Sequence, residues 1–304
     1  MIEYLKQLGI HNVKPLKGFH NDIYQGVHHD TSIIIRVSER RDLKMVKEEV
    51  DLLNLLKKHL CVIERYPVNQ REVIEENHKV ITFFKRIQGL NWHETTLTNK
   101  IHENAGKALG ELHLLMTDYK VRFRQHFTEH PDLKLIDNLE DCVKNELKHT
   151  LNALSKDQAK NNEYGLIHGD YLYSNLIYQG EDVVIIDFDD IEQHYYLYDI
   201  AVYLFYLLLG GKPKQIDISP NIEVFKHFMN GYLSVNQKTV LDFQKLPALF
   251  RLRQLKLYAT IKTYSKPIGP WQKDYLELCE KQFKAGETFV SMDYSSLFKQ
   301  LKNT

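Results

Sequence analysis

His168, Asp170 and Asn175 stand in one short stretch, His-x-Asp-x-x-x-x-Asn, and Asp187 opens an Asp-Phe-Asp triplet after four β-formers, Val183 to Ile186. Side chains of these types can divide a reaction between them. An Asp can accept a hydroxyl proton, while an amide oxygen and a second carboxylate can hold a hard divalent cation. Phosphoryl transfer needs that division, because magnesium ions must bridge the nucleotide phosphates while a base orients the attacking hydroxyl. The spacing has a physical reason. Asp170 and Asn175 leave one loop, and Asp187 arrives on the far strand of a hairpin whose turn is Gln179-Gly180-Glu181-Asp182. By residue frequencies the His-to-Asn pattern alone should occur in roughly one chain of this size in a hundred. The joint pattern, with its flanking apolar strands, is much rarer. The competing reading is that His168 and Asp170 merely cap a turn.

The elements that must position these residues fall into two groups. In the first, Ile23 to Val27 and Ser32 to Val37 alternate as strands, Val46 to Leu60 has helical spacing, and Arg71 to Glu76 and Lys79 to Phe84 flank an Asn77-His78 turn. From Asn99 onward helical periodicity dominates, with Ala105-Leu109-Leu112 as one stripe. Leu133-Ile136-Leu139-Val143-Leu147-Leu151-Leu154 is a second, so 118–165 reads mostly as one amphipathic helix, with Asp132, Asp137, Glu140, Asp141 and Glu146 on a solvated face. Gln88-Gly89 interrupts the pattern and marks the boundary, with a lobe at 1–88 and another at 89–304. The class is α+β, a small β-rich amino-terminal lobe and a larger, mainly helical carboxy-terminal lobe.

Ile167-His168-Gly169-Asp170, Asn175 and Ile186-Asp187-Phe188-Asp189-Asp190, followed by Tyr198-Asp199-Ile200-Ala201, resemble the aminoglycoside phosphotransferase family. That family includes choline, homoserine, methylthioribose and hydroxylysine kinases, and its fold is similar to that of protein kinases. The resemblance is sharp over 166–209 and recognisable over 16–114. It implies a nucleotide-binding lobe at 1–88 and a catalytic and substrate-binding lobe at 89–304, with Asp170 as base and Asn175 and Asp187 as magnesium ligands. It also implies a phosphate-covering turn over Leu16-Lys17-Gly18-Phe19-His20-Asn21, with Gly18 and Asn21 near the phosphates. Arg36 then falls where the family usually has a lysine, with Glu49 as partner carboxylate and Glu48 as the rival. Adenine would pair with main-chain groups near Lys85 and Ile87, beneath Phe84. Backbone pairing carries no side-chain code that separates ATP from GTP.

His168 and His113 read as scaffold, and Asp199 as a cap of the helix that follows it or a brace for the catalytic loop. Gly169 replaces the Arg that protein kinases awaiting activation-loop phosphorylation carry between His and Asp, which favours a small-molecule acceptor. Asp190 and Glu192, beside Asp187 and Asp189, suggest an acceptor bearing an amine. Tyr195, Tyr196, Tyr198, Arg251, Arg253 and Tyr258 are candidates to line the acceptor pocket, although Tyr and Arg of a helical lobe are more often packing residues.

Composition excludes other classes. Forty basic residues balance forty acidic ones among 304, so no field argues for nucleic acid or a membrane surface. The apolar run Ile200 to Leu209 is too short for a span of about twenty residues and reads as a buried helix. Cys61, Cys142 and Cys279 are odd in number and lack metal-ligand spacing, which fits a reducing cytoplasm. The expected function is a cytoplasmic, magnesium-dependent kinase that moves the γ-phosphate of ATP or GTP to a small-molecule hydroxyl, in an oligomeric state that the sequence leaves open. The alternatives are a Ser/Thr protein kinase of the same fold and a catalytically silent nucleotide-binding protein.

Overall fold

The computed structural model describes residues 1–304 except Lys17, Phe19, His20, Arg40, Arg124, Gln125, 156–158, Asn161, Ser295, Ser296 and 298–304. In chain order its elements are α1 (Ile2–Gln7), β1 (His11–Leu16), β2 (Asp22–His28), β3 (Thr31–Ser38), α2 (Leu43–Leu56), β4 (Val73–Glu76), β5 (Lys79–Lys85) and α3 (Asn99–Met116). There follow α4 (Pro131–Lys134), α5 (Asp141–Ala153), β6 (Tyr164–Ile167), β7 (Leu176–Gln179), β8 (Asp182–Ile185), β9 (Glu192–Tyr195), α6 (Leu197–Leu209), α7 (Ile218–Val235), α8 (Leu246–Tyr264) and α9 (Pro270–Ala285). They gather into two compact units. The first takes Met1–Thr96, Tyr119–Arg124 and Ser174–Asp189, and the second takes Leu97–Asp118, Gln125–Tyr173 and Asp190–Thr304.

The first unit is built on an antiparallel sheet of order β1-β2-β3-β5-β4. Strand alternation decides its faces. Ile33, Ile35 and Val37 of β3 enter a core with Leu5, Ile10, Val68, Ile74, Ile81 and Phe83, so the intervening Ile34 and Arg36 must point to the opposite face. Asn77 and His78, at φ 50° and 62°, make the tight β4–β5 turn in the left-handed region that two-residue hairpins favour. Asp42 caps α2, its carboxylate accepting from the Lys44 amide at 2.6 Å.

Chain order alone would assign the β7–β8 hairpin to the later part of the molecule, but backbone pairing ties it to the first unit. Tyr178 and Leu90 exchange two N–H···O bonds of 2.9 Å, and Ile185 donates to Cys61 and accepts from Ile63. This non-local pairing is invisible to a boundary drawn between 88 and 89, which registers only the break in local periodicity.

In the second unit α6 is almost wholly buried, as its apolar run predicts, and among the described residues no helix is long and apolar enough to cross a membrane. The segment before the catalytic loop corrects the expectation of one long helix. It contains a 3-10 turn at Phe127–Glu129, α4, a second 3-10 turn at Leu135–Asn138 and then α5. Pro131 starts α4 under a cap from His130, whose Nδ1 accepts from the Asp132 amide at 3.2 Å. Leu139 and Glu140 then run extended. Periodicity continued across this break because Leu133, Ile136, Val143 and Leu154 all still face inward. Asp132, assigned to the solvated face, is buried instead, with Thr260 Oγ1 at 3.5 Å.

Helices α3 and α7 cross at two glycines. A Cβ at Gly106 would stand 1.8 Å from the Phe228 carbonyl oxygen, and one at Gly231 would stand 1.8 Å from that of Glu103. Both obstacles are backbone, which cannot swing aside as a side chain can. Gly106→Ala should therefore lower the unfolding free energy by about 1–3 kcal/mol or more, read as a shifted urea midpoint. An unchanged midpoint would show that the crossing is looser than described.

Candidate active site

The Asp170 loop leaves β6, which pairs antiparallel with β9, and is held by one buried carboxylate. Asp199 Oδ2 accepts from the His168 amide and Oδ1 from the Gly169 amide, each at 2.8 Å. His113 Nε2 lies 3.1 Å from the same Oδ2, and its Nδ1 lies 2.9 Å from the Tyr232 hydroxyl. His168 is fully buried, and its Nδ1 accepts from the Asp170 amide at 3.4 Å. Both histidines are scaffold, as read from sequence. Asp199 is the brace rather than the cap: α6 begins at Leu197, so Asp199 lies inside its first turn. Gly169 is required sterically. Its φ is +83°, and a Cβ there would stand 2.1 Å from the Asp190 carbonyl oxygen.

Asp170 is half-buried and its Oδ1 is 2.6 Å from Arg253 Nη2 of α8. The same nitrogen donates to the Tyr206 hydroxyl at 2.6 Å. Burial is the largest influence and would lower the guanidinium pKa, but Asp170 together with Tyr206 and Tyr198 outweighs it and raises that pKa above the ordinary arginine value. Sequence reasoning named Arg253 with Arg251 as a candidate to line the acceptor pocket, with packing as the commoner role, and did not connect it to Asp170. Nothing local separates the two, although Arg251 turns instead to Glu146 at 3.1 Å.

Asn175 and Asp187 belong to the first unit, Asp170 to the second. The Asn175 carbonyl accepts from the Ile186 amide at 3.0 Å, which pins the start of the hairpin to its end. Asp187 has φ 61°, a left-handed conformation that Asp tolerates, and its side chain is half exposed. Arg36 points from β3 onto the face opposite the core. Its Nη2 is 2.6 Å from Glu49 Oε2, and its Nη1 is 3.7 Å from Asp189 Oδ1 and 4.0 Å from Asp187 Oδ1. Burial opposes the charge, yet Glu49 and then Asp189 hold its pKa above the ordinary arginine value. The rival Glu48 is engaged elsewhere, accepting from the amides of Arg122 and Phe123. Arg36 and Arg65 both lie over the Phe84 ring, at 5.3 and 4.8 Å from its centroid.

Other expected positions are distributed as follows. Gly18 and Asn21 line an open cavity of about 530 Å³ with Pro15, Asp22 and Tyr24, and Asn21 Nδ2 donates to Asp189 Oδ2 at 3.2 Å. Lys17, Phe19 and His20 of the same turn lie outside the described residues. The Lys85 amide donates to the Glu64 carbonyl at 2.9 Å, its side chain pairs with the Glu64 carboxylate, and Ile87 is half-buried just beyond β5.

The acids near Asp187 do not form an uncompensated anionic patch. Asp189 faces Arg36 and, at 3.3 Å, Arg41 Nε. Glu192 is buried with Lys256 at 3.1 Å, and that carboxylate keeps the Lys256 ammonium charged despite its burial. Asp190 Oδ1 is 3.5 Å from His130 Nε2 and stays partly exposed. A run of acids in sequence cannot reveal that its partners come from β3, α8 and a distant loop.

As a metal site, Asn175 and Asp187 supply hard oxygen donors. Magnesium binds through one or two carboxylates plus phosphates while keeping waters, so this small set fits it. Among the described residues no cluster of three or more His, Cys, Asp or Glu could cage a metal.

Residues 12–218 match the phosphotransferase enzyme family. The chain belongs to that family. Among its relatives, amicoumacin kinase of Bacillus subtilis (strain 168) is 26% identical over 226 residues, covering 70% of this chain and 65% of its own length. The match thus spans just under two thirds of that relative. In fold, the chain is similar to amicoumacin kinase hAmiN, solved with AMP-PNP, Ca2+ and Ami, at TM-score 0.83 and 20% identity over 97% of this chain and 96% of that one. It is also similar to a microcompartment-associated aminopropanol kinase, at TM-score 0.68 and 17% identity over 95% and 99%. Spectinomycin phosphotransferase APH(9)-Ia, solved with ADP and spectinomycin, gives TM-score 0.63 and 16% identity over 100% and 98%. The two-lobed, protein-kinase-like α+β fold expected from the motifs is the fold of the family.

Removing the brace should be costly. Asp199→Ala leaves the His168 and Gly169 amides without their acceptor and His113 without its carboxylate, so unfolding free energy should fall by about 3–5 kcal/mol. Urea denaturation checks this, and a loss below about 1 kcal/mol would remove Asp199 from that role.

Proposed function

We propose that the protein is a magnesium-dependent kinase that transfers the γ-phosphoryl group of ATP or GTP to a hydroxyl of a small molecule. The observation that carries this reading is the buried Arg36–Glu49 pair with Asp187 and Asp189 within 4.0 Å of the guanidinium. A cation is thus held rigidly beside a carboxylate suited to magnesium, which is what a triphosphate requires. Residues 1–88 take the nucleotide and 89–304 carry the base and the acceptor. Gly18 and Asn21 cover the phosphates, the backbone near Lys85 and Ile87 pairs with the purine, and Arg36 grips phosphate oxygen while Glu49 orients it.

Asp170 orients the acceptor hydroxyl and takes its proton late, because a carboxylate is far too weak a base to ionise an alcohol first. Asn175 and Asp187 would hold magnesium, which would supply positive charge to offset that on the phosphates. The acceptor carries an amine, which Asp190 meets. Support comes from its partly exposed carboxylate and from an aminopropanol kinase among the structural relatives. Glu192, neutralised by Lys256, is not assigned to the acceptor. The cysteines are unpaired, which agrees with a cytoplasmic enzyme.

Two measurements test the reading. Asp187→Ala should weaken magnesium-dependent ATP binding in calorimetry and lower turnover, and unchanged values for both would remove the metal role. An ATP-consumption screen should cover choline, ethanolamine, aminopropanol, homoserine, hydroxylysine, thiosugars, aminoglycosides, spectinomycin and amicoumacin, with neutral sugars and proteins as controls. Turnover should appear with an amine-bearing alcohol and fall about 10²- to 10⁴-fold in Asp170→Ala. Turnover of neutral sugars alone would discard the amine, and phosphate on proteins alone would favour the protein-kinase reading.

A further inference from the structure

We propose that Arg253 is a positioning residue for Asp170, fixing the carboxylate of the base from α8 through its contact with Oδ1. The inference deepens the kinase reading and rests on Asp170 being its base. Asp199 and His168 hold the loop only through backbone amides, those of His168, Gly169 and Asp170. None of these contacts restrains the two side-chain torsions of Asp170. Arg253 does, with Nη2 at 2.6 Å from Oδ1.

Arg253 is itself held in place. The same Nη2 donates to the Tyr206 hydroxyl of α6 at 2.6 Å, and the guanidinium carbon lies 5.0 Å from the centroid of the Tyr206 ring. Two packed helices therefore define where the nitrogen sits. Its side chain is only 12% exposed, so the charge is largely desolvated and its attraction to the carboxylate is weakly screened. The geometry is end-on rather than forked: Arg253 touches one carboxylate oxygen with one nitrogen, and among the described residues its buried Nε has no hydrogen-bond partner. A bidentate fork would bind the carboxylate more tightly, but it would cover both oxygens. The end-on contact orients Asp170 with the guanidinium on Oδ1 alone.

The test pairs a positional readout with a kinetic one. Crystal structures of the unaltered protein and Arg253→Met should show the Asp170 side chain leaving its position while the Asp199 contacts to the loop remain. With the acceptor found in the screen, kcat should fall about 100-fold while KM for ATP stays within about twofold, because misplacing a reacting group costs turnover rather than nucleotide affinity. Arg253→Lys, which keeps the charge on a shorter arm, should recover part of kcat, and Arg253→Gln, which keeps a polar side chain without the charge, replaces Arg253→Met in both measurements if that variant does not fold. An Asp170 side chain unmoved in the variant, or unchanged kcat, overturns the proposal. If Asp170 moves but the unaltered protein phosphorylates no acceptor, the positioning role stands and the kinase reading falls.

Discussion

A carboxylate buried without solvent must be surrounded by hydrogen-bond partners, and Asp199 meets that condition with the amides of His168 and Gly169 and the ring of His113. Its site in the first turn of α6 helps, since the positive end of a helix dipole favours an anion there. The dependence runs both ways. Asp199 is held in place by the loop amides, and the loop keeps its course because Asp199 accepts from it. Gly169 makes this possible, since its left-handed backbone brings two successive amides to one carboxylate while the chain passes close to the Asp190 carbonyl. Everything assigned to Asp170 presupposes that arrangement.

The first unit solves a comparable problem around Arg36. A buried ion pair seldom stabilises a fold more than apolar residues of the same size would, because desolvation offsets most of the attraction. The pair of Arg36 with Glu49 is therefore better explained by what the cation does than by stability. Strand alternation puts Arg36 on the face away from the core, where Asp189 and Asp187 lie within 4.0 Å, and Arg41 shares Asp189. The charges in this group are nearly balanced.

The unit that contains Asp170 is organised differently, by helix contact. The crossing of α3 and α7 at Gly106 and Gly231 brings two backbones together, and His113 of α3 and Tyr232 of α7 meet just along the same interface. That interface carries the histidine that supports Asp199. Packing far from the loop is thus linked through two hydrogen bonds to the backbone from which the base projects.

Much of this was legible in the chain. The strands and hairpins of the first unit and the buried course of α6 follow from alternation and turn chemistry, which are local properties, while the scaffold role of His168 and the choice of Glu49 before Glu48 came from the family resemblance. The long helix expected over 118–165 failed because an apolar stripe records which residues face inward, not whether the backbone between them stays helical. The sequence by itself determined the family and the two-lobed α+β fold, and it singled out Asp170, Asn175 and Asp187 as the residues to test. Only the tertiary structure decided that Glu192 is neutralised by Lys256, that the β7–β8 hairpin joins the first unit, and that Arg253 rather than Arg251 reaches Asp170. The physical reason is common to all three: each depends on a partner far away in the chain, and neither periodicity nor spacing encodes which distant residues fold into contact.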